Sequence, residues 1–197
     1  MNSFKNICVF CGASLGQGSI YRDVAQALGA ELNRRHIGLI YGGGGVGLMG
    51  TIARAVLAGG GAVTGVIPGP LKTKELSGEV LGDLITVGTM HERKATMTQL
   101  ADGFIAIPGG FGTLDELFEA LTWGQLGIHN KPIGLLNVNG YFTPLLQWIE
   151  HALAEGFVRP QHRNLIVVAD EPATLIDLMI AHEPPPALVK WLDLNEA

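Results

Sequence analysis

Three times in this chain a short apolar run ends in a cluster of glycines and gives way to a helical pattern. Asn6–Cys11 leads into Gly12-Ala13-Ser14 and a helix expected over Ile20–Arg35. Gly38–Tyr41 leads into Gly42–Gly47 and a helix over Gly47–Ala58, and Gly103–Ile107 leads into Pro108–Thr113 and a helix over Leu114–Leu126. A run such as Phe104-Ile105-Ala106-Ile107 has no polar face, so it has to be covered on both sides, as strands of a parallel sheet are. Further strands are expected at Ala62–Ile67, Leu84–Val87, Pro132–Leu136 and Leu165–Val168, and further helices at Met90–Leu100, Thr143–Glu155 and Pro172–Ala181. This alternation predicts an α/β fold, a Rossmann-like doubly wound parallel sheet with helices on both faces. Such sheets hold ligands outside the carboxyl ends of their strands, at a topological switch point, so chemistry is expected in the glycine turns.

The 197 residues fit one domain, with a short tail after about residue 184, where a run of prolines ends the last regular element. A net charge of −5 argues against nucleic acid as a partner. Hydrophobic residues make up 47 % of the chain and charged residues 16 %, which excludes disorder and predicts a large core. No apolar run is long enough for a membrane span. Glycine accounts for 28 residues, about twice the usual ~7 %, so the glycines serve particular backbone positions. Cys8 and Cys11 are the two cysteines; alternation along a strand sends them to opposite faces as buried thiols. Their reduced state and the lack of a signal peptide predict a cytoplasmic setting. Neither a second cysteine pair nor H-E-x-x-H histidine spacing is present, so no metal is expected. Pro68–Gly82 is less regular and reads as a loop or flap.

The first glycine turn can present N–H groups to an anion, with Ser14 adding a hydroxyl, or it can be a plain connection. The second matches G-x-G-x-x-G twice, but the next strand ends at Ile67-Pro68-Gly69 without the acid that a dinucleotide ribose requires. Mononucleotide phosphate, or simply tight helix–sheet packing, fits it better. The third is the most specific. Thr113 reads as the N-cap of the helix from Leu114, whose unpaired N–H groups would face a phosphate. Thr113-x-x-Glu116 also reads as a capping box, although Asp115 supplies a second carboxylate and frees one acid for other work. Met90-His91-Glu92-Arg93-Lys94 is either a solvated helix face or an anion grip, with Arg93 bidentate and Lys94 a point charge.

Taken together, these residues resemble the LOG ("Lonely Guy") family, cytokinin riboside 5′-monophosphate phosphoribohydrolases that have also carried the label lysine decarboxylase. Pro108-Gly109-Gly110-Phe111-Gly112-Thr113-Leu114-Asp115-Glu116 is similar to the family's PGGxGTxxE motif. Phe10–Ser14, Tyr41–Gly50, Met90–Lys94 and Trp123–His129 resemble its other motifs in the same order. The resemblance implies a homodimer or larger assembly, no cofactor, and hydrolysis of a nucleoside 5′-monophosphate to free base and ribose 5-phosphate. It implies Arg93 and Glu116 as the catalytic pair. It further implies a substrate site formed by Gly12, Ser14, Gly43, Gly44, Glu75, Met90, Arg93, Lys94, Pro108, Gly109, Gly110, Phe111, Gly112, Thr113, Leu114, Asp115 and Thr122. Ala13 stands where the family commonly has serine, and Asp115 where it commonly has glutamate. A carboxylate beside the anomeric carbon stabilises the positive charge that develops on the sugar, which suits Glu116. Arg93, read as an exposed charge, would keep Glu116 ionised. His91, Glu75 or water would protonate the base. No lysine is marked as a Schiff-base former, so pyridoxal-dependent decarboxylation is not expected. The alternative is a non-catalytic nucleotide-binding or sensing module on the same fold.

Overall fold

A computed structural model describes residues 4–72 and 80–185. Seven strands form one sheet: β1 (Asn6–Phe10), β2 (Gly38–Tyr41), β3 (Val63–Pro68), β4 (Asp83–Val87), β5 (Gly103–Ala106), β6 (Ile133–Leu136) and β7 (Ile166–Ala169). All neighbours pair in parallel, in the order β4-β3-β2-β1-β5-β6-β7. Among the described residues six α-helices accompany them: α1 (Ile20–Arg34), α2 (Gly47–Ala58), α3 (Met90–Leu100), α4 (Phe111–Gln125), α5 (Thr143–Ala154) and α6 (Pro172–Ile180). The expected doubly wound sheet is therefore present, and its strands and helices lie where the sequence places them, apart from the start of α4.

The sheet divides the core in two. On β1, Ile7 and Val9 face the layer of α1, α2 and α6, packing with Leu28, Leu32, Ile52, Leu175 and Met179. Cys8 and Phe10 face the layer of α3, α4 and α5, packing with Met97, Leu117, Ala120 and Ile149. Cys8 and Cys11 are free, buried, and in opposite layers, as strand alternation requires. Helix α1 buries Ala25, Leu28, Gly29 and Leu32, a single stripe at helical spacing. Gly29 lets α1 approach α2 closely, because a Cβ there would lie 2.7 Å from the Ala55 Cβ.

The chain builds outward from β1 through β2, β3 and β4, then returns to the other side of β1 with β5. This reversal is the switch point. There the Gly12 N–H donates to the Pro108 carbonyl at 3.0 Å, bringing the first and third glycine loops together. The segment Pro68–Gly82 is described only in part. It has a short 3-10 turn at Gly69–Leu71, and Leu81 reaches the core. Glu75 lies outside the described residues. None of the described helices is long and apolar enough to cross a membrane.

Candidate active site

A cavity of about 240 Å³ opens at the carboxyl ends of β1, β2 and β5. Gly12 and Ala13 of the first loop, Gly42 after β2, and Gly110, Gly112 and Thr113 at the start of α4 form much of its wall. Arg93, Asp115 and Glu116 supply its charges, and Val9, Cys11, Met49 and Met90 its remaining surface.

Helix α4 starts one turn earlier than its sequence suggests. Gly110 is the N-cap, with an extended backbone and no side-chain cap, and Phe111 is the first helical residue. The Leu114 N–H already donates to the Gly110 carbonyl at 3.1 Å. Thr113 is thus the third residue inside the helix, and the Thr113–Glu116 capping box is corrected. The Thr113 side chain is buried against Gly109, where a Cβ would fall on its hydroxyl oxygen. The amide groups from Gly110 to Thr113 precede the first intrahelical donor, so the turn presents an anion-binding end to the cavity. Glu116 follows about 7.5 Å along the axis from Phe111, and helical side chains lean toward the N-terminus, so it reaches back under that end.

Arg93 is buried, which corrects its reading as an exposed charge; its side chain is only 7 % accessible. Its Nη2 donates to the Gly42 carbonyl at 3.1 Å and stands 3.9 Å from Glu116 Oε1. Nη1 lies 3.8 Å from the Met90 sulfur. A Cβ on Gly42 would occupy the place of the guanidinium, so this seat for Arg93 exists because position 42 is glycine. A reciprocal cap does form at α3, one residue off a capping box, because Glu92 takes the N–H before the N-cap Thr89. Thr89 Oγ1 accepts from the Glu92 N–H at 3.1 Å, and the Glu92 carboxylate accepts from the Gly88 N–H at 2.7 Å. Glu92 is thereby occupied at the helix end, and its neighbour Arg93 turns inward.

Lys94 lies outside the cavity. Its ammonium pairs with Glu119 and, at 3.2 Å, with Asp115. Burial pulls the Lys94 pKa down, but hydrogen bonds to Glu119 and Asp115 outweigh it and raise the net value. Lys94 therefore steers Asp115 from behind. Cys11 lines the cavity as a neutral thiol: burial first, then the charge of Glu116, push it well above its ordinary value.

Other expected site residues lie elsewhere. Gly43 and Gly44 are buried outside the cavity lining, and Gly43 packs on Ile67 and Leu84. Gly47, at positive φ, sits directly on the Ala13 carbonyl. In the second loop, glycine chiefly permits close packing. Ser14 is exposed beside the site. Leu114, Phe111 and Thr122 belong with His91, Phe118 and Trp123 to an adjoining open groove of about 620 Å³, which shares Asp115 with the cavity. Thr122 spends its hydroxyl on the Phe118 carbonyl at 2.7 Å. Met49 was missing from the expected site, although the Gly47-Leu48-Met49-Gly50 start of α2 was its signal.

A parallel sheet with glycine loops, a helix N-terminus and a buried guanidinium–carboxylate pair at its switch point defines a Rossmann-like ligand-binding α/β protein. The same fold occurs in the molybdenum cofactor binding protein of Rippkaea orientalis, at TM-score 0.66 and 25 % identity over 89 % of this chain and 95 % of that one. It also occurs in the molybdenum cofactor carrier protein of Chlamydomonas reinhardtii, at TM-score 0.67 and 23 % identity over 89 % and 98 %. Residues 49–179 match the family described as "possible lysine decarboxylase". A rice protein (Oryza sativa subsp. japonica) described as a "probable cytokinin riboside 5′-monophosphate phosphoribohydrolase" is 53 % identical over 92 % of this chain and 74 % of its own length. A cytokinin riboside 5′-monophosphate phosphoribohydrolase of Arabidopsis thaliana is 50 % identical over 96 % and 91 %. The chain belongs to this family, the LOG phosphoribohydrolases.

Proposed function

We propose that this protein hydrolyses the N-glycosidic bond of purine nucleoside 5′-monophosphates, cytokinin riboside monophosphates and AMP among them, releasing free base and ribose 5-phosphate. The observation that carries the reading is the Arg93–Glu116 pair, 3.9 Å apart and walled into the cavity beneath the α4 N-terminus. The names of its half-identical relatives support it.

In this reading the 5′-phosphate rests on the amide groups from Gly110 to Thr113, remote from the reacting bond, where its binding energy positions the ribose. The Glu116 carboxylate faces the anomeric carbon, stabilises the oxocarbenium-like charge, and orients the water that attacks it. The attacking water gives a proton to Glu116, the bonding electron pair leaves with the base, and the base takes up a proton from water as Glu116 returns its own to solvent. Arg93, anchored on the Gly42 carbonyl, holds Glu116 in place. The chain acts as one Rossmann-like unit. Among the described residues no lysine lines the cavity, and Lys94 is held outside it by two carboxylates.

The reading includes a homodimer. Phe111 is 94 % exposed, and Phe118 with Trp148 presents an apolar edge beside the open groove, a face suited to a second copy. It also includes a cytoplasmic setting, in keeping with two buried free thiols.

The test is chromatography after incubation with AMP, isopentenyladenosine monophosphate, GMP, CMP and adenosine. Free base and ribose 5-phosphate are expected from the purine monophosphates, and nothing from adenosine. Monophosphate binding without release from any of them would replace the enzyme by a sensing module.

A further inference from the structure

The loop after β6 carries a tyrosine that none of the site motifs includes. Asn139 and Gly140, both at positive φ, turn the chain sharply at this point. Asn137 braces the turn: its Oδ1 accepts from the Phe142 N–H at 2.7 Å and its own N–H donates to the Ala169 carbonyl at 2.8 Å. Tyr141 is thereby held over the third glycine loop, its ring edge-on to Tyr21 of α1 and to Phe142. Its hydroxyl donates to the Gly109 carbonyl at 2.5 Å.

That carbonyl belongs to the Gly109–Gly110 peptide unit. The described peptide bonds are trans, and in a trans unit C=O and N–H point in opposite directions. Holding the Gly109 oxygen on the Tyr141 side therefore aims the Gly110 N–H the other way, toward the cavity that Gly110 lines. A Gly-Gly unit is the one most able to rotate, because neither flanking residue has a Cβ to confine it. A side chain at Gly109 would collide with Thr113 and the Gly12 backbone, so that position stays glycine. With glycine on both sides of the peptide, the constraint comes from outside the loop.

From this geometry we propose that Tyr141 is a positioning residue for the phosphate end of the substrate: its hydroxyl locks the Gly109–Gly110 peptide so that the amides opening α4 converge on the anion. This rests on the function proposed above. It acts on binding remote from the reacting bond, so it raises affinity for the ground state and transition state alike, which appears in KM and leaves kcat in place.

The test compares wild type and Tyr141→Phe, which keeps the ring stacking and removes the hydroxyl. Two measurements are made: AMP hydrolysis, and direct calorimetric binding of ribose 5-phosphate. The expected result is a KM for AMP and a Kd for ribose 5-phosphate each raised about five- to tenfold, the effect of losing one ordering hydrogen bond. The kcat and the thermal midpoint stay close to wild type. Unchanged KM and Kd in Tyr141→Phe would overturn the proposal, as would a fall in kcat and midpoint with KM unmoved, which marks a merely structural bond. If wild type binds ribose 5-phosphate but releases no base from AMP, the proposed activity fails, while the Kd comparison still decides the role of Tyr141.

Discussion

At the scale of single residues, the site rests on a buried cation and two partners assembled from three separate stretches of chain. Arg93 is contributed by α3, its carbonyl acceptor by Gly42, and its carboxylate by α4. Removing it strips a charged hydrogen bond from a buried site, so Arg93→Ala should lower unfolding free energy by roughly 1.5–3 kcal/mol as well as abolish base release. Arg93→Lys should also lose activity, because an ammonium lacks the planar guanidinium that is seated between Gly42 and Met90. Gly42→Ala gives an independent check. It leaves the charge in the protein but puts a methyl where the guanidinium rests, and it should inactivate a folded enzyme. Urea unfolding alongside the chromatographic assay separates these effects; a fully active Gly42→Ala protein would show that the observed seat of Arg93 is not the working one. None of this burial was legible locally. Met90-His91-Glu92-Arg93-Lys94 has the look of a solvated helix face, and the acceptor that draws Arg93 inside lies 51 residues away.

At the scale of elements, sequence pattern located every strand and helix described here but misplaced the cap that matters most. Gly-Phe-Gly is a poor opening for a helix by intrinsic propensity, so α4 reads as beginning at Leu114. Packing at the switch point overrides propensity: Thr113 is drawn in against Gly109, and the helix is wound back to Phe111. The reverse oversight occurred at α3, where Thr89 and Glu92 form a reciprocal cap hidden beside a run of charges. Thr89→Ala should therefore cost about 1 kcal/mol, read as a lower urea midpoint with an unchanged slope. An unaltered midpoint would mean that the cap contributes nothing to holding α3. The second glycine loop shows why a motif alone was ambiguous. The same glycines that can approach a phosphate also let Gly43 and Gly47 pack on β3, β4 and the first loop, and only three-dimensional neighbours distinguish the two.

At the scale of the molecule, strand order places the first and third glycine loops and the Arg93–Glu116 pair at one switch point, so the fold class foretold where the site would be though not which side chains would line it. The far side of the α1–α6 layer is tied by charge. Arg35 bridges Glu31 on its own helix and Asp177 on α6, the latter at 2.6 Å. Hydrogen bonding from Arg34, with Arg35 adding to it against the opposing effect of burial, lowers Glu31 from its usual 4.5 to about 2. A depressed carboxyl stabilises the fold fully above its unfolded value, and that contribution is lost as the pH falls through about 2. The thermal midpoint should fall on acidification across that window, and Glu31→Gln should flatten this part of the profile. An identical acid limb in the variant would remove Glu31 from the explanation. The most direct test of the whole account is single-turnover base release from AMP by Glu116→Gln. The substitution keeps side-chain shape and removes the charge that the oxocarbenium-like transition state needs. The expected result is a folded protein that still binds ribose 5-phosphate and releases adenine at least about 100-fold more slowly than wild type. Release at the wild-type rate would contradict it.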